Sequence, residues 1–151
     1  MSQSLAKVWI HLIFSTKNRT PFLKDREIRD AMHAYVAIVL RSHECKTLLV
    51  GGVEDHVHSL FALSRNHSIA EIVKEIKRTS SSWVKTVDPM MPKFHWQNGY
   101  AAFSVSQSNL AEVVRYIETQ EEHHRRKTFQ DEYREFLKAY EIDYDERYVW
   151  D

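Results

Sequence analysis

Four short runs of alternating apolar residues are interleaved with two long helical patterns, and that order restricts the chain more than any single residue does. Lys7 to Thr16 (KVWIHLIFST) places Val8, Ile10, Leu12 and Phe14 on one face, the period of a strand. From Asp25 to about Glu44, residues Ile28, Ala31, Met32, Tyr35, Ile38 and Val39 recur at helical spacing. Thr47 to Val53 is a second strand, with Gly51-Gly52 as the place where a bulge forms easily. A tight turn near Glu54-Asp55 leads into a third strand ending near Leu63, so the two form a hairpin. Ser68 and Glu71 make a capping box that opens a second helix, whose buried side carries Ile69, Ile72, Val73, Ile76, Trp83, Val84 and Val87. Two prolines between Asp88 and Pro92 break it, and Gly99 to Ser106 (GYAAFSVS) reads as a fourth strand. Ser108 or Asn109 can cap a helix running to about Arg125, and Thr128 and Asp131 a last one to about Tyr140.

This order predicts an α+β fold: a ferredoxin-like, RRM-like βαββαβ antiparallel sheet with two helices on one face. Two additional helices follow it at the C-terminus. The expected organisation is one domain over residues 1–151, with the sheet and its helices at about 5–106. A helix at about 108–125 and a final helix and tail at about 128–151 complete it.

A chain of 151 residues is the size of one domain that can bury a substantial core. Its hydrophobic content of 43%, against 28% charged residues, is that of an ordinary globular protein. No apolar run approaches the length of a membrane span, and Met1-Ser2-Gln3-Ser4 is not a signal sequence. The single Cys45 rules out an internal disulfide and suits a reducing compartment, so a cytoplasmic location is expected. The net charge is zero but unevenly spread. Residues 1–100 hold 14 Lys and Arg against 9 Asp and Glu, whereas residues 101–151 hold 7 against 12. Such a split is compatible with a local polyanion-binding surface and unlike the blanket positive charge of a non-specific duplex binder.

The third predicted strand carries the chemistry. In Asp55-His56-Val57-His58 the two imidazoles leave the same face, about 6.6 Å apart along the strand. Val57, Phe61 and Leu63 point the other way, toward the helices. The histidine face also carries Leu60 and Ala62, so something must cover it, and the C-terminal helices are the candidates. Two nitrogen donors on one face make part of a metal site with open positions. In the helix after the fourth strand, Leu110, Val113, Val114 and Ile117 form an apolar stripe, and Tyr116 and Gln120 are neighbours one turn apart beside it. The carboxamide oxygen of Gln120 is a reasonable third ligand for a divalent cation, and Tyr116 is an oxygen nucleophile once its phenolate is stabilised. His11 shares a strand face with Trp9 and Ile13 and can lie near this site. His123 and His124, near a helix end, are expected to be solvated.

Taken together these segments resemble the small single-tyrosine HUH transposases of the simplest, IS200-like bacterial insertion sequences. The HUH signature (histidine, hydrophobic residue, histidine) is met by His56-Val57-His58. The likeness extends over HLIFSTKNR, GGVEDHVHSL, KRTSSSW, WQNGYAAFSVS, VVRYIETQ and the tail from Phe129 to Trp150. It implies the HUH fold and a metal-dependent enzyme that cleaves and rejoins single-stranded DNA through a 5′-phosphotyrosine link. Tyr116 would be the nucleophile, and His56, His58 and Gln120 would hold Mg²⁺ or Mn²⁺. The resemblance also implies a homodimer with sites shared between subunits, and recognition of DNA hairpins near the element's ends. Lys17, Arg19, Lys74, Lys77, Arg78, Lys85 and Lys93 are the candidate phosphate contacts, with Arg125-Arg126-Lys127 as a further one. Trp83, Trp96 and Tyr100 are better explained by packing than by stacking on bases. The alternatives are a domesticated hairpin-binding relative that no longer mobilises DNA, a water-using phosphodiesterase, and an RNA-recognition module. The last lacks its usual aromatic signature.

Overall fold

The computed structural model describes residues 2–89 and 91–151. Strand β1 (Trp9–Ser15) lies inside the sheet because every one of its residues is buried. It pairs antiparallel with β3 (His56–Ala62) on one side and β4 (Ala101–Val105) on the other. Strand β2 (Lys46–Gly52) adds to β3, giving the order β2-β3-β1-β4. This is the antiparallel α+β sheet expected from the order of the elements.

Helices α1 (Arg26–Ser42) and α2 (Ile69–Val87) cover one face. Asp25 caps the first by accepting from the Glu27 and Ile28 amides at 2.9 and 3.3 Å, and Ser68 caps the second by accepting from Glu71 at 3.1 Å. Each cap stabilises its helix by about 1 kcal/mol. Ile10, Leu12 and Phe14 of β1 and Val57 and Phe61 of β3 meet Met32, Val36, Leu40, Ile72 and Ile76 in the main core. Alternation therefore sends His11, Ile13, His56 and His58 to the opposite face.

A bulge does interrupt β2, but at Leu48, between the paired residues Thr47 and Leu49, rather than at Gly51-Gly52. The two glycines answer other demands. A Cβ on Gly51 would lie 2.8 Å from Ile117 Cγ2, so the glycine lets a helix descend onto β2. Gly52 has φ +147°, and a Cβ there would lie 2.2 Å from the His56 carbonyl oxygen. Gly52→Ala is accordingly expected to destabilise the protein by about 2–3 kcal/mol, read as a lower urea midpoint. An unchanged midpoint would mean the hairpin absorbs the clash.

The helix that descends is α3 (Leu110–Glu118). It does not run on to Arg125 as its periodicity predicts. The chain breaks at Thr119 (φ −102°, ψ 22°) and resumes as the single turn α4 (Gln120–His123). The Thr119 hydroxyl donates to the Arg115 carbonyl at 2.9 Å, the back-bonding that bends helices without proline or glycine. Thr128 then caps α5 (Phe129–Ala139), accepting from the Asp131 amide at 3.2 Å.

Helix α5 covers the histidine face beside β1 and β4. Its Phe129, Tyr133 and Leu137 pack on Ile13, Ala101 and Phe103 in a second, smaller core. The tail holds it down: Trp150 lies 5.6 Å from the Tyr133 ring, and Gly99 donates its amide to the Asp151 carbonyl at 2.7 Å. No helix among the described residues is long and apolar enough to cross a membrane.

Candidate active site

The β1–β3 register sets His58 opposite Ile13 and His56 opposite Ser15, which makes His11 and His58 diagonal neighbours on one face. His11 Nε2 lies 2.8 Å from His58 Nδ1, and His56 Nδ1 lies 2.6 Å from Asp55 Oδ1. Both rings are thereby oriented with Nε2 pointing away from the strand. Partners of this kind on the far nitrogen fix the tautomer of metal-binding histidines. Burial drives the His11 pKa down to about 3, helped by His58 and opposed by Glu132, so its ring is neutral. Burial also lowers the His58 pKa, against an opposing effect of Glu132.

Two groups from beyond the sheet close on the Nε2 atoms, and a third is tied to one of them. Gln120 Oε1, from the first residue after the Thr119 break, lies 3.1 Å from His56 Nε2. Glu132 Oε1, from α5, lies 3.1 Å from His58 Nε2 and 3.7 Å from His56 Nε2. The Tyr116 phenol, from α3, donates to the second oxygen of Glu132. His56, His58, Gln120 and Glu132 are each at most 1% exposed. The next residue helps to fix Gln120: Glu121 is bonded by Arg26 and, at 3.1 Å, by the largely buried Arg29, both on α1.

His124, expected in solvent, belongs to the site. Its Nε2 lies 2.9 Å from Gln120 Oε1 and 3.1 Å from Glu132 Oε2. Burial opposes its charged form, but Glu132 outweighs that and raises the pKa. His123 is exposed, and its ring lies 4.9 Å from that of Tyr116.

Glu132 is the group that sequence periodicity did not single out. A carboxylate this buried costs several kcal/mol unless it is paired. Here the phenol and the His58 and His124 rings surround it. Burial pushes its pKa up, yet His124 and His58 hold it well below the ordinary carboxylate range. The opposite holds for Tyr116, whose phenol is pushed far above its ordinary value by burial, then by the Glu132 charge and their hydrogen bond.

The donor set suits a cation. His56 commits Nδ1–H to a carboxylate, so in the neutral ring Nε2 presents a lone pair to Gln120 Oε1, which is also an acceptor. The carboxamide does not turn round to relieve this, because its Nε2 donates to the Tyr116 carbonyl at 3.2 Å. A positive charge between these atoms reconciles them. His56, His58 and Glu132 each offer one ligand atom within 4.8 Å of the others, a grouping able to hold a metal ion.

Beside the phenol opens a cavity of about 450 Å³ lined by Tyr116, His123, Arg126, Lys127 and Glu132. Of the sequence-predicted phosphate contacts, Arg126 and Lys127 therefore lie beside the phenol, whereas the candidates on α2 lie elsewhere. Lys74, Lys77, Arg78 and Lys85 line a cleft of about 490 Å³ with Trp96 and Tyr100, beside α2. Lys77 is the exception among them, because its Nζ donates to the carbonyls of Gln97, Asn98 and Gly99 at 2.8, 3.2 and 2.6 Å. Burial lowers its pKa to about 8. Lys77→Met is expected to cost about 1–2 kcal/mol of stability through those carbonyls, seen as a lower Tm; an unchanged Tm would refute a tethering role. Lys17 and Lys93 are exposed outside the cleft, and Arg19 lies over the Trp150 ring at 5.8 Å. Trp96 is buried, with Nε1 donating to Ser80 at 3.0 Å, and Trp83 stacks on Tyr35 at 4.8 Å. Both are packing residues.

Comparison with known proteins gives this arrangement a setting. The ISDra2 transposase TnpA of Deinococcus radiodurans is 24% identical over 115 residues, which are 73% of this chain and 81% of that one. A crystal structure of a proposed transposase from the same organism superposes with a TM-score of 0.61 at 25% identity, covering 80% of this chain and 98% of the other. A REP-associated tyrosine transposase bound to a REP hairpin superposes with a TM-score of 0.60 at 15% identity, covering 82% and 74%, a likeness of fold. A family model described as "Transposase IS200 like" matches residues 4–120, which take in the sheet, the histidine pair, Tyr116 and Gln120 and stop before His124 and Glu132. The chain belongs to the IS200-like transposase family.

Proposed function

We propose that this transposase cleaves and rejoins single-stranded DNA at the ends of an insertion sequence, with Tyr116 as the nucleophile. The observation that carries this reading is convergence: one carboxylate, Glu132, ties the Tyr116 phenol to the same imidazole pair that faces Gln120. In the reaction the Tyr116 oxygen bonds to phosphorus, the bond to the 3′-oxygen breaks, and a 5′-phosphotyrosine and a free 3′-hydroxyl result. The proton the phenol gives up is balanced by the one the departing 3′-oxygen gains, and the hydrogen bond to Glu132 Oε2 holds the phenol in place. Exchange of one phosphodiester for another needs no nucleotide triphosphate, and a later attack by a DNA 3′-hydroxyl reseals a strand.

His56, His58 and Gln120 are the residues we assign to Mg²⁺ or Mn²⁺. When bound, the cation polarises the scissile phosphate and stabilises the departing oxygen. The chain's own contribution is to hold both imidazoles in one tautomer, exclude water from the buried donors, and aim the phenol at the neighbouring cavity. Arg126 and Lys127, which line that cavity, are suited to the incoming phosphodiester. Backbone contacts to a DNA hairpin are assigned to Lys74, Arg78 and Lys85 in the α2 cleft. His56, His58, Gln120 and Tyr116 meet within one chain here, an arrangement compatible with chemistry inside one subunit. A homodimer that exchanged the segment from Gln107 onward would rebuild the same contacts between chains.

The test is to incubate the protein with Mn²⁺ or Mg²⁺ and single-stranded DNA bearing its element end, then resolve the products on a denaturing gel. A covalent protein–DNA adduct is expected. Hydrolysis without an adduct would instead identify a phosphodiesterase, and tight hairpin binding without cleavage a non-mobilising binder.

A further inference from the structure

The family match ends at residue 120, yet the most densely contacted side chain of the site lies twelve residues later on a helix outside it. We propose that Glu132 is itself a metal ligand, converting a neutral two-histidine, one-carboxamide site into an anionic four-donor site that prefers Mn²⁺-class ions to Mg²⁺. The inference rests on His56 and His58 binding a cation, as assigned above, and adds a residue and a selectivity to that reading.

Geometry supports the assignment independently of the chemistry. Glu132 Oε1 stands 3.1 and 3.7 Å from the two imidazole Nε2 atoms, whereas its other oxygen is occupied by Tyr116 and His124. One oxygen is thus left to the cation while the other fixes the carboxylate plane. Helix α5 is committed to this placement, because Phe129 and Tyr133 on the same stripe are buried in the second core. The His56 ring lies 4.7 Å from that of Phe129, so the helix cannot slide without disturbing the histidine.

The selectivity follows from ligand type. Mg²⁺ favours oxygen ligands and retains much of its water, while first-row transition ions gain more from imidazole nitrogen. Two imidazoles with one carboxylate form the facial set typical of such ions. A carboxylate adds the negative charge that a carboxamide lacks. A bound ion would also pin α5, and through it the tail, to β3.

Titration calorimetry with Mn²⁺ and Mg²⁺, without DNA, tests this on the wild-type protein, Glu132→Gln and His56→Ala. The wild type is expected to bind Mn²⁺ about tenfold or more tightly than Mg²⁺. Glu132→Gln is expected to lose about tenfold or more in Mn²⁺ affinity and most of that discrimination. Equal Mn²⁺ affinity in wild type and Glu132→Gln would overturn the proposal while leaving the histidine assignment standing. Absence of binding in the wild type would overturn both. A wild-type crystal soaked in Mn²⁺ gives an answer that does not depend on a variant folding. An anomalous peak with a Glu132 oxygen at coordination distance, about 2–2.5 Å, supports the ligand role. A peak at the histidines with Glu132 still on His58 and outside that range refutes it.

Discussion

Tyr116→Phe is expected to abolish adduct formation, lowering strand cleavage by about 10³-fold or more, while leaving DNA-hairpin affinity near that of the wild type. The substitution removes one oxygen and little else. The ring keeps its contacts with His123 and Phe136, at 4.9 and 5.7 Å between centroids. Glu132 loses the phenol donor but retains His58 and His124, so the stability cost should stay near 1–2 kcal/mol. That combination separates a nucleophile from a packing residue. A merely structural tyrosine would give a variant that still cleaves at a rate within a few fold of the parent. Adduct formation by Tyr116→Phe would move the nucleophile to another side chain.

The second large effect is expected from His56→Ala combined with His58→Ala. Divalent-ion binding and adduct formation should both vanish. Stability should fall too, because Glu132 loses a partner and keeps its burial. Glu132 keeps Tyr116 and His124, so leaving this buried charge one partner short costs about 1–3 kcal/mol, which corresponds to a Tm lower by about 2–12 °C in a chain of this size. Unfolding could mimic loss of chemistry, so His56→Gln is the control. It leaves His58 on Glu132 and should hold the Tm within a few degrees, yet still weaken Mn²⁺ binding and cleavage. Metal binding at wild-type strength in the double variant would place the cation elsewhere.

Much of this architecture is written in local pattern. Alternation in β1 and β3 sends Val57 and Phe61 to the helices and His56 and His58 to the other face, because side chains on a strand cannot do otherwise. The need to cover that face was legible from Leu60 and Ala62, and α3 and α5 supply the cover. Gln120 and Tyr116 were legible as neighbours one turn apart, and they remain so across the Thr119 break, joined by the Gln120 Nε2 bond to the Tyr116 carbonyl.

Other parts were hidden for physical reasons. Thr119 bends its helix through a side-chain bond to Arg115, and no proline or glycine marks the place. Gly51-Gly52 drew attention as a bulge, whereas the close approach of Ile117 and the positive φ of Gly52 are what require them. Lys77 looked like any surface cation of α2 until the 97–99 carbonyls closed around its ammonium. Glu132 is the most instructive case. Glutamate in a charged helix normally faces water, so FQDEYREFLKA hides it in plain composition. The available signal was positional: Phe129, Tyr133 and Leu137 define a buried stripe, and residue 132 falls within it, three after the first and one before the second. A carboxylate on such a stripe must have partners.

Mass spectrometry of the digested protein after reaction with single-stranded DNA is the most direct measurement. The expected spectrum shows a nucleotide remnant, attached through its 5′-phosphate, on the peptide containing Tyr116 and on no other tyrosine. Cleaved DNA with Tyr116 unmodified throughout the time course would contradict the assignment.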